Sequence, residues 1–412
     1  AQYLSQEMPD NHYELAFHYH LAGEYQQASR FAVSAARTAR RRNALETAIF
    51  YFQIALKDPA YSEDVELREE LADCCMLTGD YSRALELYQS TYQRAAATLD
   101  QARLLGKLGE LHQKMGHVGE ASKSILEAIQ LLGGRMPASS FGRRLETGWR
   151  IFKEVVRPSE APRDGSRTES TRSLLLAHLY SRLSYVWFWT HGQADLLFIH
   201  LRHLQEAAWH PKSKELAQAY ASHAIACIGA HQLERAHRFA QRSLELRREL
   251  RDAWGEAHAQ NTLGIVLYAS SRIDECIEVV ERAESLLDAT GDLWELAVCR
   301  YNLALCYYRK GLLPRAREPA KRAYAVGMEC GDVQASGVSL GVLVRCSPLE
   351  ISEDQLDREL NSPDLDSATK AWLLEAKGIR WLALGHPGKA VRELEESWSI
   401  SEELGRRTEY VA

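Results

Sequence analysis

Four positions recur at a fixed step through the middle of this 412-residue chain: His191, His231, Ser271 and Gly311, each 40 residues after the last. Each stands between two stretches of helical periodicity. Before Gly311, Leu303, Ala304 and Tyr307 form an apolar stripe, and after it Leu313, Ala316, Ala320 and Ala323 face back from a second helix. Around Ser271 the same pattern is written by Leu263, Gly264 and Leu267, then Ile273, Cys276, Val280 and Ala283. His223, Ala224 and Cys227 precede His231, with Leu233, Ala236, Ala240 and Ser243 beyond it; Leu183, Ser184 and Trp187 precede His191. Small residues fall where two helices must cross closely. A repeat of this length specifies stacked helix pairs, each packing on its neighbours, and therefore an all-α solenoid.

This pairing resembles the tetratricopeptide repeat, stretched here from the usual ~34 residues to about 37–40. The resemblance implies a helix-turn-helix solenoid, a right-handed superhelix of about nine to ten repeats with one irregular insert. Earlier units fit: Leu15, Ala16 and Tyr19 before Gly23; Leu71, Ala72 and Cys75 before Gly79, Tyr81, Ala84 and Tyr88; Leu108, Gly109 and His112 before Gly116, Val118, Ala121, Ile125 and Ala128. After a degenerate unit with Pro348 at its turn and a polar second helix, regularity returns with Gly378, Trp381, Gly385, Ala390 and Leu394.

Four segments follow: N-terminal repeats over 1–132, an inserted amphipathic helix and mobile loop over 133–170, regular 40-residue repeats over 171–330, and a degenerate repeat plus a C-terminal one over 331–412. In the insert, Phe141, Leu145, Trp149 and Phe152 lie at helical spacing among Arg143, Arg144, Arg150 and Lys153. Trp149 and Phe152 are expected to anchor that helix, and the Pro- and Gly-rich tail predicts cleavage near 158–168. The segment from Glu14 to Leu56, and the insert, resemble the repeat region of multidomain bacterial signal-transduction (STAND-type) ATPases fused to kinase, cyclase or DNA-binding output domains. That resemblance implies a sensor or scaffold arm. The first residue is Ala1, not Met, and the last seven, Arg406 to Ala412, look like the opening of another first helix, so a piece of a longer chain is expected.

Fifty basic residues against 56 acidic ones give a net charge of −6, which disfavours nucleic acid as the partner. The basic clusters Arg40–Arg42 and Arg143–Arg144 read as ordinary charges near helix ends. Eight cysteines without a paired spacing read as reduced core residues of a cytoplasmic protein. No run of residues is apolar enough to span a bilayer, and no phosphate-binding glycine motif occurs, so neither membrane nor nucleotide cofactor is expected. Gly337 to Gly341 match the G-x-S-x-G pattern of hydrolases, but that elbow needs a strand before Ser339, and the register puts it inside a first helix. His223, Cys227 and His231, with His200 and His203 one helix earlier, could converge on zinc; they coincide with the packing stripe, and no metal is expected. Glu69, Asp73, Gly106 and Glu110 stand where chaperone-tail receptors carry Lys and Asn, which argues against that partner.

What remains is a surface. The positions of the first helices not needed for packing are His178, Ser181, Tyr185, Phe188 and Trp189, then His258, Asn261 and Tyr268, then Tyr301, Tyr308 and Arg309. Aromatic residues with Asn and Arg are enriched at binding hot spots. The reading is a non-enzymatic groove that recognises a protein or peptide, with a free-standing adaptor joining two proteins as the alternative to an arm of a signalling ATPase.

Overall fold

The structure, a computed structural model, describes residues 11–134, 167–229, 231–363 and 365–404, with 136, 137, 139, 141–143, 145 and 146 between the first two spans. These residues hold nineteen helices of eight residues or more, most of them joined by short turns, and no strand among them. The N-terminal part is α1 (His12–Leu21), α2 (Tyr25–Arg41), α3 (Leu45–Ala55), α4 (Val65–Leu77), α5 (Tyr81–Arg94), α6 (Thr98–Lys114) and α7 (Val118–Leu131). The middle comprises α8 (Arg167–Thr190), α9 (Gln193–Ala207), α10 (Lys214–Gly229), α11 (Leu233–Glu249), α12 (Ala253–Ala269), α13 (Ile273–Thr290), α14 (Leu293–Arg309) and α15 (Leu313–Cys330). The chain closes with α16 (Val333–Cys346), α17 (Glu353–Leu360), α18 (Ser367–Ala383) and α19 (Pro387–Glu403). Nine antiparallel pairs and the single helix α3 make an all-α, tetratricopeptide-like solenoid.

The turns explain the period. His231, Ser271 and Gly311 all have positive φ, as do Arg251, Gly291 and Gly331, so a left-handed residue ends a helix every 20 residues from 231 to 331. The sequence reading found only every second one. Helix starts are capped by acids: Asp80, Asp292, Asp332 and Asp366 each accept a bond from a backbone N–H two or three residues on. The expected stripes are inside, with Leu303, Ala304, Tyr307, Ala316, Ala320 and Ala323 buried. Leu313, at the first turn of α15, is 38% exposed, because it precedes the crossing, and Leu233 and Ile273 at the matching places are half-buried. At two crossings a hydroxyl replaces a methyl: Ser243 Oγ donates to the Ala217 carbonyl and Ser397 Oγ to that of Ala371, each at 2.7 Å.

Two expectations need correction. In the insert, Phe141 and Leu145 are 70% and 60% exposed, while Arg143 and Glu146 dock. Buried Arg143 donates from Nε to Asp195 Oδ1 at 2.5 Å and from Nη1 to the Pro137 carbonyl at 3.1 Å, with its guanidinium over the Trp187 ring. Glu146 pairs with Arg202 at 2.9 Å. Trp149, Phe152 and the 158–168 loop lie outside the described residues, and α8 begins at Arg167, inside the boundary drawn at 170.

The second correction concerns contacts. A solenoid is expected to touch only its neighbours, yet this one meets itself. Lys114, at the end of α6, donates from Nζ to Asp292 at 3.0 and 3.3 Å, both side chains being buried. Tyr185 of α8 packs edge-on against Trp294 of α14, and α8 touches α18. A Cβ on Gly116 would stand 3.5 Å from Val333 N, and one on Gly291 would stand 3.0 Å from Leu45 Cδ1. The winding therefore brings α3, α6 and α8 against the starts of α14 and α16 and against α18, and the inner wall is covered by the chain's own later turns.

Candidate functional site along the inner wall

The inner wall has two zones. Where the chain meets itself, the wall is a polar interior. Asp292 is its hub: it accepts from Lys114, from Trp254 Nε1 at 3.2 Å and from its own helix start at Glu295 N, 3.3 Å away. Lys114 also lies 5.2 Å from the Trp294 ring. Burial and then the nearby Asp292 push the Glu295 carboxyl up to about 7, against the pull of Lys114 and Arg182. Burial likewise raises Asp332 to about 7, opposed by the backbone N–H groups that it caps.

Behind this hub lies a cavity of about 200 Å³. Glu110 of α6 and His178, Ser181 and Arg182 of α8 form one side, with His203 of α9. Lys214, Glu215 and Gln218 of α10, Arg247 of α11, and Asp252 and Trp254 at the start of α12 form the other. Arg247 donates to Asp252 at 2.5 Å and to Gln218 Oε1 at 3.0 Å, and Lys214 reaches Asp252 at 3.3 Å. Arg182 approaches Glu110 only to 3.6 Å, an ion pair without a hydrogen bond. Burial holds His178 down to about 4 and His203 and His258 to about 3, and the positive charge of Arg182 adds to each. All three imidazoles are neutral at pH 7.

The second zone is the far edge of the same helices. Phe188, Ile228, Tyr268 and Tyr308 stand 40 residues apart, one near the end of each of α8, α10, α12 and α14, and all four are half-buried. The Arg309 guanidinium sits 4.9 Å from the centroid of the Tyr268 ring.

The residues predicted for the groove thus divide. His178 lines the cavity, His258 lies within reach of its arginines, and Tyr185 is packed on Trp294. Asn261 is buried and accepts from Asn302 Nδ2 at 3.0 Å, so it faces a neighbouring helix instead of a groove. Tyr301 is half-buried on α14. Phe188, Tyr268, Tyr308 and Arg309 form the edge, and the side chain of Trp189 lies outside the described residues. Sequence reasoning missed Arg182, Arg247, Asp252 and Asp292, since charge in a helix reads as solvated until a distant turn covers it. Ile228 was legible, because it keeps the step of 40 between Phe188 and Tyr268.

The other sites named from sequence resolve simply. Ser339 lies in mid-helix α16, buried, with no strand before it. His200 Nε2 and His223 Nδ1 share a hydrogen bond at 2.7 Å, His203 faces the cavity, and among the described residues no three His, Cys, Asp or Glu side chains converge as metal ligands. Arg40 pairs with Glu70 at 3.2 Å and Asp73 at 2.9 Å. Glu69 and Asp73 are both held by Lys107. Seven cysteines are buried free thiols, and no helix among the described residues is long and apolar enough to cross a membrane.

Residues 255–327 match the Tetratricopeptide repeat family, a stretch running from α12 to α15. Comparison with curated proteins gives no match. Among solved structures, a Rap protein complexed with Competence and Sporulation Factor superposes with a TM-score of 0.54 at 14% identity, over 92% of this chain and 98% of that one. The apo form of RapI gives 0.44 at 12% identity over 92% and 99%. The signal transduction ATPase with a tetratricopeptide repeat sensor from Pyrococcus horikoshii gives 0.46 at 13% identity, over 94% of this chain and 53% of that one. At these identities the Rap complex speaks for the fold alone, and the two lower scores carry no argument. The chain is an all-α, tetratricopeptide-like helix-pair solenoid whose residues 255–327 match the Tetratricopeptide repeat family, with the same architecture on either side.

Proposed function

We propose that the chain is a non-enzymatic recognition solenoid that takes a protein or peptide along the edge formed by Phe188, Ile228, Tyr268 and Tyr308. The observation behind this reading is the ladder itself: four large side chains, one per first helix, half-buried at a constant step, with Arg309 supplying charge beside Tyr268. An extended segment or a helix laid across the array meets one such anchor per repeat, and aromatic residues with a polar tip are the residues that dominate such contacts. No catalytic role is assigned to these residues, and any catalytic module lies outside them. The resemblance of Glu14 to Leu56 and of the insert to signalling-ATPase repeat regions supports a sensor or scaffold arm of such a protein, and the buried free thiols fit a cytoplasmic setting.

The test is selection of peptides from a random-sequence display library on the full chain, followed by anisotropy titration. Tyr268→Ala and Tyr308→Ala should each weaken a selected peptide by roughly 1–3 kcal/mol, about 5- to 150-fold, with helicity unchanged. Undiminished binding by both variants would place recognition elsewhere.

A further inference from the structure

The polar cavity behind Asp292 is built for a different class of ligand from the outer edge. It is bounded by α6 and by every helix from α8 to α12, and at about 200 Å³ it has room for on the order of six waters. That is the scale of a small molecule and too small for a peptide of several residues. Its walls carry donors in excess of what the chain satisfies. Arg247, only 5% exposed, spends both terminal nitrogens on Asp252 and Gln218, yet its Nε–H has no hydrogen-bond partner among the described residues. The Nε–H of Arg182 has none either, and its nearest carboxylate is the 3.6 Å contact with Glu110. A buried guanidinium N–H without a partner is destabilising, so a ligand that supplies an acceptor there gains more than it would at a solvated arginine.

The acids of the cavity do not cancel this demand. Asp252 already serves Arg247 and Lys214. Glu110 is buried, which opposes its ionisation, but Arg182, Lys114 and Lys107 prevail and hold its carboxyl below the ordinary range. Glu110 is therefore ionised beside Arg182, and with Glu215 and Asp252 the lining carries three acids against Arg182, Lys214 and Arg247, so what the cavity offers an anion is arginine donors and not a net positive charge. Lys214, 61% exposed at the start of α10, marks the opening to solvent.

We infer that this cavity is a binding site for a small oxyanion, a carboxylate or phosphate, held between Arg182 of α8 and Arg247 of α11. Arg182 and Arg247 line it with their guanidinium groups, and Trp254 supplies an apolar wall. The inference does not rest on the peptide-recognition reading, and failure to select any peptide would leave it standing.

Thermal unfolding of the full chain with inorganic phosphate, acetate or succinate, at ionic strength matched with chloride, tests it. At least one oxyanion should raise Tm saturably where chloride does not, and the anion that does so separates the phosphate source from the carboxylate one. Arg182→Gln should raise the half-saturating concentration at least tenfold. Ser181→Leu, which keeps every charge and fills the space, should abolish the shift, and it decides alone if Arg182→Gln does not fold. Shifts equal to those in chloride would mean that the cavity holds water only. A saturable shift untouched by the folded variants would mean binding elsewhere; either result overturns the site.

Discussion

Glu295 shows what burial does to one side chain. In the unfolded chain its carboxyl ionises near 4.5; in the fold it is pushed up to about 7 by burial and by Asp292. The folded state therefore binds more protons than the unfolded one between those values, and stability falls as pH rises from about 4.5 to 7, then levels. Glu295→Gln removes that dependence. Its stability relative to the parent should climb across the same window and stay flat above it, as denaturant titrations at pH 5, 6, 7 and 8 would show; a constant difference would mean that Glu295 is ionised throughout. None of this was readable from sequence. Glu295 stands three residues after a cap, where an acid is ordinary, and it is buried where Lys114 and Tyr185 approach the start of α14 from other helices.

Helix pairs, by contrast, were almost entirely legible, because their packing is local. Gly264 illustrates why: a Cβ there would stand 2.3 Å from Val280 Cγ2 on the partner helix, and one on Gly109 would stand 2.4 Å from Ile125 Cγ1. The small residue in the repeat pattern is thus the crossing point itself. Gly264→Ala should cost about 1–3 kcal/mol by overpacking despite the better helix propensity of Ala, whereas Gly388→Ala, with nothing within 4 Å, should be neutral or stabilising by up to about 1 kcal/mol. Equal effects at the two sites, read from chemical denaturation, would mean that α12 and α13 do not cross at Gly264. The insert was less legible. Its Phe141 and Leu145 stay exposed while Arg143 and Glu146 dock, because the partners Asp195 and Arg202 sit on α9, which follows the insert in the chain.

At the scale of the molecule, the period of 40 prescribes a solenoid but not how tightly it winds, since pitch is set by small rotations between pairs that no residue pattern spells out. Here the winding is tight enough for α6 to meet α14. What the sequence presents as one continuous groove becomes a covered polar interior and a separate aromatic edge, and the functional readings of the two zones rest on that closure. The Lys114–Asp292 pair reports it directly, because its partners are 178 residues apart and touch only if the superhelix closes. A double-mutant cycle with Lys114→Met and Asp292→Asn, measured by chemical denaturation, removes the capping and Trp254 contributions common to both branches. Closure predicts that each single change destabilises, and that the two changes together cost at least about 1 kcal/mol less than their sum. Additivity within about 0.5 kcal/mol would contradict it, leaving an open solenoid whose inner wall is a groove.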